Sequence, residues 1–159
     1  MIQGIWHVSF TVSNMAAAVK WYTEVLGLEY VREQIQENEY TGRLVGYENV
    51  RLNVVQLRVP GMPLPPRANH HVELIEYERP RGVSNLDLQT RNTGVGHWAF
   101  LVDDIHAEFS RMKALGVKFK SDAPVAIEHG VNKGGYAVYF TDPDGITFEL
   151  LQPPPLPAQ

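Results

Sequence analysis

The stretch from residue 5 to residue 12, Ile-Trp-His-Val-Ser-Phe-Thr-Val, has a second copy at residues 95–102, Val-Gly-His-Trp-Ala-Phe-Leu-Val. Both copies contain the pattern His-x-x-Phe-x-Val, which begins at His7 in the first copy and at His97 in the second. In each copy, bulky apolar residues alternate with smaller or more polar ones, as in a β-strand that buries one face. Such a repeat predicts that the chain consists of two similar structural units.

A helix is predicted after each copy of this strand. The pair Ser13-Asn14 can cap the start of the first helix, and the pair Asp103-Asp104 the start of the second. Each helix is expected to end at a Leu-Gly pair, at residues 26–27 and 115–116. Glycine just past a helix favours the left-handed cap, so both ends are well defined in the sequence.

Three strands are predicted to follow each helix. They cover about residues 28–36, 43–59 and 72–77 in the first unit, and about 117–128, 134–141 and 148–153 in the second. The repeated unit is therefore β-α-β-β-β, and the predicted fold is α+β. Its two modules would form a cupped, partly closed mixed sheet with the helices on the outside. We interpret residues 1–159 as a single domain, with module one at about residues 4–78 and module two at about 94–153.

The composition limits the class of protein. The chain has 159 residues, of which 44% are hydrophobic and 20% charged, as in an ordinary globular protein. It has no cysteine, which excludes disulfides, a thiol nucleophile and a zinc site built on sulfur. The formal net charge is -4 without a basic block, so no nucleic-acid partner is predicted. No signal segment is seen and no apolar run approaches the roughly 20 residues of a membrane span, which predicts a soluble cytoplasmic protein without a membrane partner.

Four side chains that can bind a metal share one property: strand alternation places each on the face away from the helices. They are His7, Glu73, His97 and Glu149. Each glutamate lies between two apolar residues of its strand, and burying an unpaired carboxylate costs several kcal/mol. A divalent cation bound together with two imidazoles would compensate both carboxylates. We therefore favour a metal site over a cup of hydrogen-bonded His–Glu pairs without metal.

Further motifs resemble one known family. They are the end of the first helix, Trp21-Tyr22-Thr23-Glu24-Val25-Leu26-Gly27, the run Gly134-Gly135-Tyr136-Ala137-Val138-Tyr139-Phe140, the turn Asp142-Pro143-Asp144-Gly145 and the strand Phe148-Glu149-Leu150. In this order they resemble the vicinal-oxygen-chelate superfamily, also called the glyoxalase/bleomycin-resistance/dioxygenase family, over about residues 4–153. The resemblance implies one metal ligand from the first strand and one from the last strand of each module. Those positions are again His7 and Glu73, then His97 and Glu149. Metal-free antibiotic-binding members generally lack such a set, so a purely sequestering protein is disfavoured.

The donor set indicates the chemistry. Two imidazoles and two carboxylates suit Co, Ni, Mn, Fe(II) or Zn. One such divalent metal would leave two positions for adjacent substrate oxygens and act as a Lewis acid on a carbonyl, while Glu73 or Glu149 moves the neighbouring proton. The resemblance then implies an epimerase, isomerase or lyase that enolizes a small carbonyl or thioester substrate. It would be similar to methylmalonyl-CoA epimerase, which we favour slightly, or to glyoxalase I.

Two other classes of function stay open. An Fe(II)-dependent extradiol-type dioxygenase would use two histidines and one carboxylate, which His7, His97 and Glu149 can supply. Glu73 argues against it, because a fourth ligand occupies a position that oxygen chemistry needs open. The other class is a non-catalytic small-molecule (antibiotic) binding protein, against which the full ligand set weighs.

Other polar residues receive weaker predictions. Candidates for substrate contact are His129, Tyr139 and Asn53, and Gln56 is a further pocket candidate. We expect His71 to form a local hydrogen bond, and His70 and His106 to be solvated. Because two four-stranded sheets leave exposed edges, a homodimer is expected. The ligand set is the same whether one chain completes the cup or two chains of a dimer share it.

Overall fold

The computed structural model describes residues 1–83 and 86–156 and has an α+β architecture with two mixed β-sheets. The chain divides into two compact units, Met1–Asn85 and Leu86–Gln159. The predicted modules at about residues 4–78 and 94–153 fall one in each unit. The predicted fold class is confirmed, since both units combine helix with a mixed sheet in the same order. No helix in the described part of the chain is long and apolar enough to cross a membrane.

The first unit contains four strands and two helices. In chain order these are β1 (Val8–Thr11), α1 (Met15–Glu24), β2 (Glu29–Gln36), α2 (Glu39–Val45), β3 (Arg51–Arg58) and β4 (Val72–Arg79). The strands lie in the order β1-β4-β3-β2, with β1 parallel to β4 and the other neighbours antiparallel. Because the first strand pairs with the last, the residues that precede β1 lie beside the residues that begin β4.

The second unit repeats this arrangement with shorter inner strands. Its elements are β5 (Trp98–Leu101), α3 (Ile105–Ala114), β6 (Lys118–Phe119), β7 (Val125–Ala126), β8 (Tyr136–Thr141) and β9 (Thr147–Gln152). The strand order is β5-β9-β8-β6, β5 is parallel to β9, and β7 also pairs with β8. The first and last strands therefore pair in parallel in both units.

The helix ends are where the sequence predicts them. The Asn14 side chain accepts a hydrogen bond of 2.9 Å from the Ala17 backbone N–H, and Asp104 accepts hydrogen bonds from the first turn of α3 in the same way. After the helices, Gly27 and Gly116 have φ angles of 68° and 84°. A side chain is strained in this left-handed region, so glycine fixes the point at which the chain turns into the next strand.

One predicted strand is wrong in its first part. Residues 43–45 belong to α2 and not to a strand, and β3 covers only Arg51–Arg58 of the predicted range 43–59. Asn38 caps α2 by accepting a hydrogen bond from the Thr41 N–H, and Gly46 ends it with a φ of 77°. A helix of 7 residues has too few turns to show a clear apolar period, which is why the sequence pattern does not predict it.

A second prediction is too long, because residues 117–128 do not form one continuous strand. They contain β6 and β7, which pair with different parts of β8 and are separated by the polar segment 120–124. The strands predicted at about 28–36 and 134–141 are confirmed as β2 and β8 within two residues at each end.

The predicted alternation of faces in the last strands is confirmed. Val72 and Leu74 in β4 are fully buried, and so are Phe148 and Leu150 in β9, whereas the glutamate between each pair is only partly buried. Burying one such apolar side chain contributes about 1.5–3 kcal/mol to stability, so the strand cannot easily slip by one residue. Packing of the apolar face thus holds Glu73 and Glu149 on the opposite face of their sheets.

Candidate metal centre

The structure brings His7 and Glu73 together in the first unit. His7 directly precedes β1, and the parallel pairing places Ser9 opposite Glu73 of β4. His7 Nε2 lies 3.6 Å from Glu73 Oε2. The Glu73 side chain is 14% exposed and that of His7 is 31% exposed, so both remain accessible to a small ligand. The two side chains predicted as ligands in this unit therefore lie side by side.

A second histidine, His70, joins this pair, and the prediction that it is solvated is wrong. His70 is 3% exposed. Its Nε2 atom lies 3.1 Å from His7 Nδ1 and 3.2 Å from Glu73 Oε1. Ligand atoms of His7, His70 and Glu73 all lie within 4.8 Å of one another, which makes them a candidate metal-binding group among the described residues. Strand alternation could not find His70, because β4 begins only at Val72 and the chain before it is not extended strand.

Hydrogen bonds around this group have a fixed direction. The Arg32 Nε–H donates to Gln56 Oε1 at 2.7 Å, which leaves the Gln56 amide nitrogen to donate to Glu73 Oε1 at 2.8 Å. The Asn69 amide nitrogen also donates to Gln56 Oε1, at 3.3 Å, so Asn69 Oδ1 faces His70 Nδ1 at 2.7 Å. An amide oxygen only accepts, so the His70 ring proton is on Nδ1 and its Nε2 carries a lone pair.

The electrostatic surroundings of His70 favour its neutral form. Burial lowers the pKa of His70 below its usual value, the negative charge of Glu73 opposes this shift, and His7, Arg32 and His71 add to it. A neutral imidazole is the form that binds a metal ion. His70 therefore offers its Nε2 lone pair without first having to lose a proton.

The second unit holds His97 beside Glu149 in an equivalent arrangement. His97 directly precedes β5, and its Nε2 lies 3.0 Å from Glu149 Oε2. Tyr139 of β8 is opposite Glu149 in the strand register, and its hydroxyl lies 3.2 Å from His97 Nε2. Burial and the hydrogen bond to charged Glu149 keep the pKa of Tyr139 above its usual value. The phenol therefore stays protonated and serves as a donor in this unit.

The other residues predicted to contact substrate lie elsewhere in their units. Asn53 pairs with Glu76 in the strand register, and its Nδ2 donates to Glu33 Oε1 at 2.7 Å. Asn53 and Gln56 are three residues apart on β3, so their side chains lie on opposite faces of the sheet. The structure thus places Asn53 on the opposite sheet face from Glu73. His129 is exposed in the loop between β7 and β8.

His71 forms the local hydrogen bonds that were expected. The Val59 backbone N–H donates to His71 Nδ1 at 3.0 Å, and His71 Nε2 lies 3.3 Å from the Pro63 carbonyl oxygen. Both ring nitrogens of His71 are therefore engaged by the backbone of the loop before β4, as expected for a local structural role.

The donor set of the two units is chemically suited to a divalent metal. Each unit places an imidazole beside a carboxylate whose side chain is 14% exposed. Imidazole and carboxylate ligands suit first-row divalent metals, and the amide or phenol beside each carboxylate is the kind of outer partner that orients a ligand.

Comparison of sequences places these units among known proteins. Residues 4–150 match the Glyoxalase/Bleomycin resistance protein/Dioxygenase superfamily. The chain is 34% identical to a "Probable lactoylglutathione lyase, chloroplastic" of Arabidopsis thaliana over 95% of this chain and 36% of that protein. It is 32% identical to a "Probable lactoylglutathione lyase" of Vibrio parahaemolyticus over 93% of this chain and 89% of that protein. It is 30% identical to a "2-epi-5-epi-valiolone epimerase" of an Actinomyces species over 93% of this chain and 78% of that protein.

The coverage of the plant relatives and the similarity to solved structures limit what these matches show. The chain spans less than half the length of the plant relatives that it matches, at 36%, 44% and 45%. Among solved structures, a glyoxalase family protein from Bacillus cereus has a TM-score of 0.75 at 19% identity, covering 98% of this chain and 97% of that one. The structural likeness concerns the fold, whereas the sequence match to residues 4–150 concerns the family.

Proposed function

Because the chain belongs to the glyoxalase/bleomycin resistance protein/dioxygenase superfamily, we propose that it is a divalent-metal-dependent lyase or epimerase that enolizes a small carbonyl or thioester substrate. The observation that carries this proposal is the pairing of His7 with Glu73 and of His97 with Glu149 at equivalent places in the two units. Two such pairs, each held by the packing of its strand, are the groups needed to hold a metal and to move a proton.

The ligand set of the metal, in this proposal, is His7, Glu73, His97 and Glu149. These donors suit Co, Ni, Mn, Fe(II) or Zn. A bound divalent ion supplies Lewis acidity towards substrate oxygens. The chain contributes the orientation of the carboxylates: the Gln56 amide holds Glu73 Oε1 at 2.8 Å, and Tyr139 and His97 hold Glu149.

Proton transfer is assigned to the two carboxylates. Glu73 and Glu149 are partly exposed and lie on the face that carries the histidines, so each presents oxygen atoms to a substrate on that face. A carboxylate beside an acidified C–H can accept its proton and return it to a neighbouring carbon or to the same one. Tyr139 is not the base, because its raised pKa keeps the phenol protonated.

The relatives' names favour a lyase, and this shifts the preference that the sequence alone suggested. The Vibrio parahaemolyticus relative, most of whose length this chain covers, is named a lactoylglutathione lyase. We therefore propose a glyoxalase-I-like isomerization of a thiol adduct of a 2-oxoaldehyde as the first candidate. An epimerase is the second candidate, because the Actinomyces relative bears that activity in its name. Both reactions begin with removal of a proton next to a carbonyl.

The test uses the full chain, stripped of metal and reloaded with Co²⁺, Ni²⁺, Mn²⁺, Fe²⁺ or Zn²⁺ in turn. Formation of lactoylglutathione from methylglyoxal and glutathione is followed as thioester absorbance, and deuterium exchange from D₂O is screened on chiral 2-substituted acids and thioesters. We expect metal-dependent turnover or exchange that Glu149→Gln and Glu73→Gln lower at least a hundredfold. The matched control is Glu108→Gln, which changes a carboxylate paired with Arg111 on α3.

Three outcomes would count against this proposal. Stoichiometric metal without exchange or turnover on any substrate would contradict enolization. Oxygen consumption by the Fe²⁺-loaded protein with a catechol would support the dioxygenase instead. Small-molecule binding that survives chelation would support a sequestering protein. The homodimer and the cytoplasmic location stay predictions, and light scattering of the purified chain tests the first of them.

A further inference from the structure

We propose that His70 is a third metal ligand of the first unit, through its Nε2 atom, so that His7, His70 and Glu73 form a group of three ligands. The inference rests on the proposed function only in taking the resident group to be a divalent metal. It goes beyond the one ligand from the first strand and one from the last that the repeat predicts for each module.

Geometry is the first argument. His70 Nε2 lies 3.1 Å from His7 Nδ1 and 3.2 Å from Glu73 Oε1, so one nitrogen of each ring and one carboxylate oxygen lie close together. An ion bound at about 2.0–2.2 Å from nitrogen and oxygen ligands fits among donors that are 3–4 Å apart.

The placement of protons is the second argument. The hydrogen bonds that start at Arg32 put the His70 proton on Nδ1. His70 Nε2 therefore has a lone pair, and it faces a Glu73 oxygen that also only accepts. A neutral His7 has one ring proton. If that proton is on Nδ1 it satisfies His70 but leaves His7 Nε2 facing Glu73 Oε2. If it is on Nε2 it leaves two imidazole lone pairs facing each other at 3.1 Å. In both cases two acceptors face each other without a proton. When the proton is on His7 Nε2, it faces Glu73 Oε2, and a cation bound by His7 Nδ1, His70 Nε2 and Glu73 Oε1 would satisfy the remaining three acceptors.

Burial is the third argument. His70 is 3% exposed, so water cannot relieve the unsatisfied lone pair cheaply. A divalent ion supplies the missing charge at the point where the three lone pairs meet.

The second unit shows that this ligand is particular to the first. His70 lies three residues before Glu73, and the residue three before Glu149 is Ile146. Since Glu73 and Glu149 occupy the same register position opposite Ser9 and Ala99, Ile146 is the counterpart of His70. The two units are therefore unequal, with three candidate ligands in the first and two in the second.

The experiment titrates the metal-free full chain with Co²⁺ and follows binding by calorimetry and by visible absorption. We expect His70→Gln to weaken Co²⁺ binding about tenfold or more and to shift the Co²⁺ absorption bands, because one imidazole leaves the coordination sphere. His106→Gln is the matched control, since it removes an exposed histidine from α3. Wild-type affinity and an unchanged spectrum in His70→Gln would overturn the proposal.

A second measurement keeps the test decisive if His70→Gln does not fold. Histidine ¹⁵N shifts of the wild-type chain are recorded without metal and with saturating Zn²⁺. We expect His70 Nδ1 to carry the proton in both states and Nε2 to move to the shift of a metal-bound nitrogen. A His70 Nε2 shift that Zn²⁺ leaves unchanged would refute the assignment. Failure of the enzyme proposal looks different: metal-dependent turnover and exchange would be absent while the His70 signals still respond to Zn²⁺.

Discussion

Gln56 and Tyr139 occupy the same place in the two units, each directly across from the glutamate that faces the histidines. Gln56 is paired with Glu73 in the register of β3 and β4, and Tyr139 is paired with Glu149 in the register of β8 and β9. One supplies an amide N–H and the other a phenol O–H. The repeat thus preserves the function of a hydrogen-bond donor at this position while the chemical group changes.

Gln56→Leu should weaken metal binding without unfolding the chain. Gln56 Nε2 orients Glu73, and removal of an outer partner typically costs about 10–100-fold in metal affinity. We expect a loss in Co²⁺ affinity in this range by calorimetry, because Glu73 Oε1 loses the hydrogen bond from the Gln56 amide. Gln89→Leu, at an exposed glutamine, is the control. Equal affinities in the two variants would show that Gln56 does not orient the ligand.

Tyr139→Phe should lower kcat by about tenfold while leaving the alkaline limb of the pH–rate profile where it is. The hydroxyl contacts His97 and Glu149, but its raised pKa keeps it protonated across the working range. The measurement is kcat and KM from pH 6 to pH 10, with Tyr136→Phe on the same strand as control. An alkaline limb that moves in Tyr139→Phe alone would mean that the phenol itself titrates during turnover.

Glu76 and Glu73 are three residues apart on β4, and we expect substitution of Glu76 to affect stability and substitution of Glu73 to affect metal binding. Glu76 Oε2 accepts a hydrogen bond of 2.8 Å from the Met15 N–H at the start of α1, so it faces the helix. Glu76→Gln should lower the free energy of unfolding by about 1 kcal/mol and leave Co²⁺ affinity unchanged. Glu73→Gln should abolish tight Co²⁺ binding. Urea unfolding measures the stability of both variants, and calorimetry measures their Co²⁺ affinity. A Glu76→Gln variant with impaired metal binding would contradict the assignment of Glu76 to stability and of Glu73 to metal binding.

Glu37 should make the stability of the chain sensitive to acid. Hydrogen bonds from Arg79 and Arg51 lower the pKa of Glu37 in the folded state. A lowered carboxyl pKa contributes stability above the pKa of the unfolded chain, near 4.5, and this contribution is lost as the pH falls through the folded value. Glu37→Gln should therefore be less stable than the wild type at pH 7 in urea unfolding, and the difference should shrink towards pH 3.

The control for that experiment is Glu48→Gln, which changes a nearby exposed carboxylate. A stability difference for Glu37→Gln that is the same at pH 7 and at pH 3 would mean that the ion pairs with Arg51 and Arg79 do not contribute through charge.

The sequence predicts the strands that carry the ligands because packing enforces their alternation. Val72, Leu74, Phe148 and Leu150 must be buried, and this alone fixes the face on which Glu73 and Glu149 lie. The helix ends were equally predictable, since few residues other than glycine adopt the φ angles found at Gly27 and Gly116. These features follow from local rules that the chain repeats twice.

His70 was missed for a physical reason. It lies before β4 begins, where no period relates a residue to a sheet face. Its position depends on the hydrogen bond that it donates to Asn69 Oδ1 and on its contact with His7, 63 residues away. The short helix α2 was missed because a single pair of caps is a weak signal without an apolar period. Both errors concern parts of the chain whose conformation is set by tertiary contacts.

The hydrogen bonds that begin at Arg32 have a consequence for how the site can be altered. A guanidinium only donates and a carboxylate only accepts, so Arg32 and Glu73 together leave the Gln56 amide one orientation. Through Asn69, that orientation sets which nitrogen of the buried His70 is protonated. Replacing the exposed Arg32 by methionine would leave the Gln56 amide nitrogen held by Glu73, so the His70 tautomer would stay as it is. A variant that changes this tautomer has to change Glu73 or one of the two amides.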